Sequence, residues 1–135
     1  MNVRYAGGES PGLAALVGGL LEANLRAHPR RARLLRPARV ELSVPDAGES
    51  VVLVLDPEGP LVAASADGPI DLRVVADPAR LIELVAAPLR LGLPDPLRRE
   101  GRRVLRAVAR GEIRIRGLLR HPLLVTRLAR LLSVA

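Results

Sequence analysis

The chain has 135 residues, 49% of them apolar, yet it contains no Phe, Trp or Cys and a single Tyr. That length suits one domain, residues 1–135, with a core built from Leu, Val, Ala and four Ile. Missing Cys and Lys exclude disulfides, thiolate catalysis, Cys-bound metals and side-chain Schiff bases, and the net charge of +7 rests on Arg alone.

The charge is unevenly spread. Residues 1–36 carry six Arg against two acids, residues 37–96 four against ten, and residues 97–135 eleven against two. A basic face and an acidic face are expected, which bears on partners and solubility rather than on fold. No run approaches the ~20 apolar residues of a membrane-spanning helix. The apolar stretch 13–21 is flanked by Glu9, Pro11 and Glu22 without a small-x-small cleavage pattern, so it reads as a helix of the mature protein, and the expected compartment is the cytoplasm.

Ser10-Pro11 reads as an N-cap with proline at the first helical position, and Leu13, Leu16, Val17, Leu20 and Leu21 recur at helical spacing until Pro29. Asn24 falls inside that apolar stripe and is expected to be a buried amide bonded to backbone. Gly18-Gly19 weakens the helix but permits close packing. After a basic link at 30–37, Val40, Leu42 and Val44 alternate with polar residues, the period-two signature of a strand. Residues 51–55 are continuously apolar and predict a central strand, 61–66 a third and 70–74 a fourth. Asp56-Pro57-Glu58-Gly59 and Asp67-Gly68 supply the turns between them. Four strands joined by short turns predict an antiparallel meander with helices over one face.

Asp77-Pro78 and Asp95-Pro96 each repeat the cap-plus-proline start, predicting helices over 78–87 and 96–110. Between them, residues 88–94 form a loop carrying Leu89, Leu91 and Leu93, which suits a ligand portal, a membrane contact or a segment folded onto the core. The helix after it is divided: Leu97, Gly101, Val104, Leu105 and Val108 share one arc, and Arg98, Arg99, Arg102, Arg103, Arg106 and Arg110 the other. Residues 111–117 (Gly-Glu-Ile-Arg-Ile-Arg-Gly) predict a fifth strand, and a closing helix places Leu124, Val125, Leu128, Leu131 and Leu132 on one face.

Chemistry-bearing constellations are scarce. His28 and His121 are far apart, each before a proline, with no metal spacing. The serines lack a nucleophile-elbow motif, and no glycine-rich loop sits between strand and helix or carries the phosphate-binding lysine. Asp56, Asp67, Asp71 and Asp77 fall at turns, strand ends and caps, where local geometry explains them. No enzyme activity, cofactor or metal is expected. An arginine rail suits phosphates, but one tyrosine makes no base-stacking platform, which disfavours nucleic acid.

An N-terminal helix, a meander, a capped helix, the glycine-bounded strand at 111–117 and a leucine-rich end together resemble the sterol carrier protein 2 family. Asp71-Leu72-Arg73-Val74 followed by Asp77-Pro78-Ala79-Arg80-Leu81-Ile82-Glu83-Leu84 looks like the family's strand leading into a helix behind a capping acid. Leu118 departs from the Asp or Asn frequent after the second glycine, the family's cavity aromatics are missing, and Ser133-Val134-Ala135 is not a peroxisomal tripeptide. The resemblance implies an α+β fold, here an antiparallel five-stranded sheet covered on one face by about four helices, enclosing an apolar tunnel for a sterol, fatty acid or acyl-CoA. The expected lining is Leu81, Leu84, Val85, Leu89, Leu91, Leu105, Val108, Leu124, Leu128 and Leu131, and the arginine face is expected to approach anionic membranes. The rival readings are an accessory module of the same fold assisting a lipid or quinone enzyme, and a nonspecific nucleic-acid binder. Oligomeric state is not legible.

Overall fold

The period-two run at 40–44 and the continuously apolar run at 51–55 become the longest strands and the centre of a sheet. In this computed structural model, which describes residues 3–5, 12–64 and 68–134, β1 is Arg4–Tyr5, β2 Ala38–Val44, β3 Glu49–Leu55, β4 Leu61–Ala63 and β5 Leu72–Ala76. A hairpin follows, β6 (Leu89–Arg90) and β7 (Leu93–Pro94), and then β8 (Ile113–Arg116). The α-helices are α1 (Leu13–Ala27), α2 (Pro78–Ala86), α3 (Arg99–Ala109) and α4 (Pro122–Leu132), with short 3-10 turns at Pro29–Leu34 and Pro45–Ala47.

The main sheet is mixed and six-stranded, in the order β1-β4-β3-β2-β5-β8. β2, β3 and β4 form the antiparallel meander expected from the sequence. The fourth strand departs from it, because β5 pairs with β2 in parallel and not with β4. Meander formation leaves one edge of β2 open, and Leu72 and Val74 extend its apolar face beside Val40 and Leu42. Asp71 fixes the register: its carboxylate accepts from the Arg39 N–H at 2.9 Å, and its own N–H donates to the Arg39 carbonyl at 2.9 Å. The expected Asp67-Gly68 hairpin is therefore absent as a β4–β5 pairing; Asp67 itself, like the Ser10-Pro11 cap, lies outside the described residues. β1, parallel to β4, has no periodic signal in its two residues.

Alternation assigns the faces. Val40, Leu42, Val51, Leu53, Val62, Leu72, Val74 and Ile113 point inward and are buried with Leu13, Val17, Leu21 and Leu25 of α1, Val104 and Ala107 of α3, and Leu124, Leu128, Leu131 and Leu132 of α4. Asn24 is buried among them, and its amide donates to the Leu131 carbonyl at 3.0 Å, tying α1 to α4. Gly18 lies so close to Tyr5 that a Cβ would collide with its ring, which accounts for one of the paired glycines. Glu49 on β3 takes over the N-terminus of α1, accepting the Leu13 N–H at 3.2 Å.

The two Asp-Pro signals part company. Asp77 caps α2, its carboxylate accepting the Arg80 N–H at 2.8 Å with Pro78 in the first turn. Asp95 is held by its N–H to the Pro88 carbonyl at the base of the hairpin, and its carboxylate accepts the Leu97 N–H at 2.9 Å. The chain turns once more there, and α3 begins only at Arg99. At the other end of α3, the Glu112 N–H reaches the Ala107 carbonyl and the Gly111 N–H that of Val108, a Schellman termination with Gly111 at φ 76°. Gly117, at φ 94°, has no room for a side chain against the Asp71 carbonyl. Both glycines that bound the strand motif thus have a backbone reason to be there.

Candidate functional site

The end of β8 and the start of β5 lie side by side, and the chain beyond Gly117 turns across them into α4. A groove of about 750 Å³ opens there, a volume suited to a small amphiphile. Its apolar lining is Ile70, Ile115, Leu118 and Leu119, the last 96% exposed. Its polar lining is Arg73, Arg116, Arg120, His121 and Asp71. Among the described residues neither Arg116 nor Arg120 has a carboxylate partner, whereas Arg73 pairs with Glu41 at 3.2 Å. Asp71 is occupied by the Arg39 N–H.

Arg73 and Arg116 are register partners across the antiparallel β5–β8 ladder. Like charges placed directly opposite one another disfavour pairing. Glu41 offsets part of this at Arg73, and an anion seated in the groove would offset the remainder at Arg116. The arrangement can therefore hold the charged head of an amphiphile at its arginines and an alkyl chain along Ile70, Leu118 and Leu119.

A second groove, of about 420 Å³, lies between the 3-10 turn after α1, the α2–β6 link and the end of α4, lined by Arg31, Leu34, Pro88, Leu89, Arg130 and Ser133. Arg31 donates to the Ser133 carbonyl at 2.7 Å across its floor.

The ten residues expected to line a tunnel are spread over several parts of the structure. Leu124, Leu128 and Leu131 are buried in the interior. Leu81, Leu84, Val85 and Val108 are half-buried against that interior. Leu89 lines the smaller groove. Leu105 is 39% exposed on α3, and Leu91 is 83% exposed at the tip of the hairpin. The larger groove includes none of the ten. Its residues went unrecognised because Arg73 and Arg116, 43 positions apart in sequence, meet only through strand pairing; the alternation of Arg114 and Arg116 with Ile113 and Ile115 was the available signal.

α2 is moored to the entry of β8 by Arg80, which bonds Glu83 at 2.8 Å and pairs with Glu112. The guanidinium is held above its usual range chiefly by the Glu83 hydrogen bond, with desolvation opposing and the charges of Glu112, Glu83 and Asp77 adding. A raised pKa on a cation contributes stability at every pH below its ordinary value, lost only as pH climbs through the raised one. This tie is accordingly insensitive to pH across the neutral range.

No helix among the described residues is long and apolar enough to cross a membrane. No protein-family model matches the sequence, and no curated protein matches it. Solved structures do. A UbiJ-SCP2 ubiquinone synthesis protein matches with a TM-score of 0.64 at 19% identity, over 89% of this chain and 92% of that one. A conserved hypothetical protein of Thermus thermophilus, described as a candidate sterol carrier, matches with a TM-score of 0.46 at 17% identity, over 100% of this chain and 97% of that one. At such identities the likeness speaks to fold, and on it the chain has a sterol carrier protein 2-like fold.

Proposed function

We propose that this protein binds, without transforming it, a single-chain lipid with an anionic head, and that the larger groove is its site. The observation that carries the reading is the pairing, in one groove, of two arginines that have no carboxylate partner among the described residues with the aliphatic residues Ile70, Leu118 and Leu119, on a fold shared with a domain of a ubiquinone synthesis protein. The aliphatic lining supplies affinity at about 0.8 kcal/mol per buried methylene, and the arginines select the head. Fatty acids and acyl-CoA fit this chemistry better than neutral sterols. Uptake from an anionic bilayer is part of the reading.

A second reading has its own support. The burial of Leu124, Leu128 and Leu131 suits an accessory module that keeps the fold, carries no lipid and assists a lipid or quinone enzyme through its charged faces. Thermal unfolding of delipidated protein separates the two. Oleate or an acyl-CoA at 100 times its Kd stabilises by about 2.7 kcal/mol, which for a chain of this size raises Tm by about 8 °C. Absence of a shift across fatty acids, acyl-CoA and sterols would favour the accessory module.

A further inference from the structure

The hairpin β6–β7 has a two-residue loop, Leu91-Gly92, because Arg90 pairs with Leu93. Both loop residues have positive φ, 57° at Leu91 and 80° at Gly92, the pattern of the type I′ turn that Asn-Gly serves best. Leu91 is the one residue other than glycine with positive φ among the described residues, and it is also 83% exposed. Neither backbone preference nor burial explains a leucine there.

The surroundings of the tip are apolar and cationic. Gly92 rests on Thr126 and Arg130 of α4, and Leu123, one turn earlier on that helix, is 71% exposed. Leu93 and Leu97 are exposed as well. On the other side the hairpin meets α3, where the site of a Gly101 Cβ is filled by Asp95. The arc of α3 away from Gly101 carries an exposed stripe of Arg99, Arg102, Arg103, Arg106 and Arg110, and none of these arginines pairs with an acid among the described residues.

We propose that the Leu91 tip and the α3 arginine stripe form a docking face for an anionic bilayer, with the leucines entering the headgroup boundary and the arginines lying against the lipid phosphates. This rests on the lipid-binding reading for its purpose and names the surface through which the protein reaches its source of lipid. Charge complementarity selects a polyanion, and the leucine tip selects a bilayer over duplex nucleic acid, which offers no apolar boundary to enter.

The test is sedimentation with vesicles of phosphatidylcholine alone and with about 30% phosphatidylglycerol, over a salt series. Binding is expected to the anionic vesicles only and to weaken with salt. Leu91→Asn suits the turn and should leave Tm unchanged or higher, yet lower vesicle affinity on the order of tenfold. Arg99→Gln/Arg103→Gln/Arg106→Gln should lower it by at least as much. Since the chain has no Trp, Leu93→Trp supplies a single fluorophore, expected to shift to the blue on anionic vesicles. Equal binding to both vesicle types, undiminished binding by Leu91→Asn, or an unshifted Trp overturns the proposal. So does tighter binding to duplex DNA that Leu91→Asn leaves intact, or a dimer that Leu91→Asn dissociates. Oleate titration of the same proteins reports on the groove separately, so that failure of lipid uptake with vesicle docking preserved would count against the groove alone.

Discussion

Gly117 shows how much one residue can be made to carry. Its φ of 94° disfavours any side chain, and a Cβ would collide with the Asp71 carbonyl, a backbone group that cannot move without disturbing the β2–β5 register. Gly117→Ala should cost about 2–3 kcal/mol in urea unfolding, where the same change at an unstrained loop position is close to neutral. Asn24 makes the complementary case. Replaced by Leu, it would leave the Leu131 carbonyl buried without its donor, for a loss of about 1–3 kcal/mol by the same measurement. Asn24 was legible in the sequence because a polar residue inside an apolar stripe must find a backbone partner. Leu91 was not, because its unfavourable φ follows from a two-residue loop fixed by the pairing of Arg90 with Leu93, and the flanking segments look like irregular chain.

Among elements, helices were easier to place than strand partners. The face of α4 follows from 3.6-residue periodicity alone, since Leu124, Leu128, Leu131 and Leu132 are buried, whereas the same pattern also selects Leu16 on α1 and Leu105 on α3, which are exposed. The same periodicity cannot say whether a buried leucine meets neighbouring side chains or a hollow. On the groove reading, Leu128→Ala should behave as a core truncation and cost about 2–5 kcal/mol, without the gain in ligand capacity that enlarging a tunnel would bring. Strand order escaped the sequence because β5 turns from its neighbour β4 to the free edge of β2, a choice between two apolar edges that local pattern does not encode. The contrast of Asp77 with Asp95 has the same origin. Identical dipeptides differ in outcome because the Asp95 backbone already belongs to the hairpin. Asp77→Ala should destabilise by about 1 kcal/mol through loss of the cap.

At the scale of the molecule, the sheet divides the work. Its inner face and the helices supply stability from an interior without aromatic residues, and its β8 margin supplies a groove where cations and aliphatic side chains adjoin. The arginines after residue 97 lie largely exposed on α3 and around β8, and none of those described there is in an ion pair. Composition made such a basic face legible, but which arginines border the groove depends on the pairing of β8 with β5. Recognition of an anionic amphiphile by Arg116 and Arg120 is open to calorimetric titration of the delipidated protein with oleate and with oleyl alcohol. The expected result is that oleate binds about tenfold more tightly than the alcohol, and that Arg116→Gln/Arg120→Gln erases the difference while leaving the alcohol unchanged. Equal affinity for the two ligands, or a preference for oleate that survives the double substitution, would contradict it.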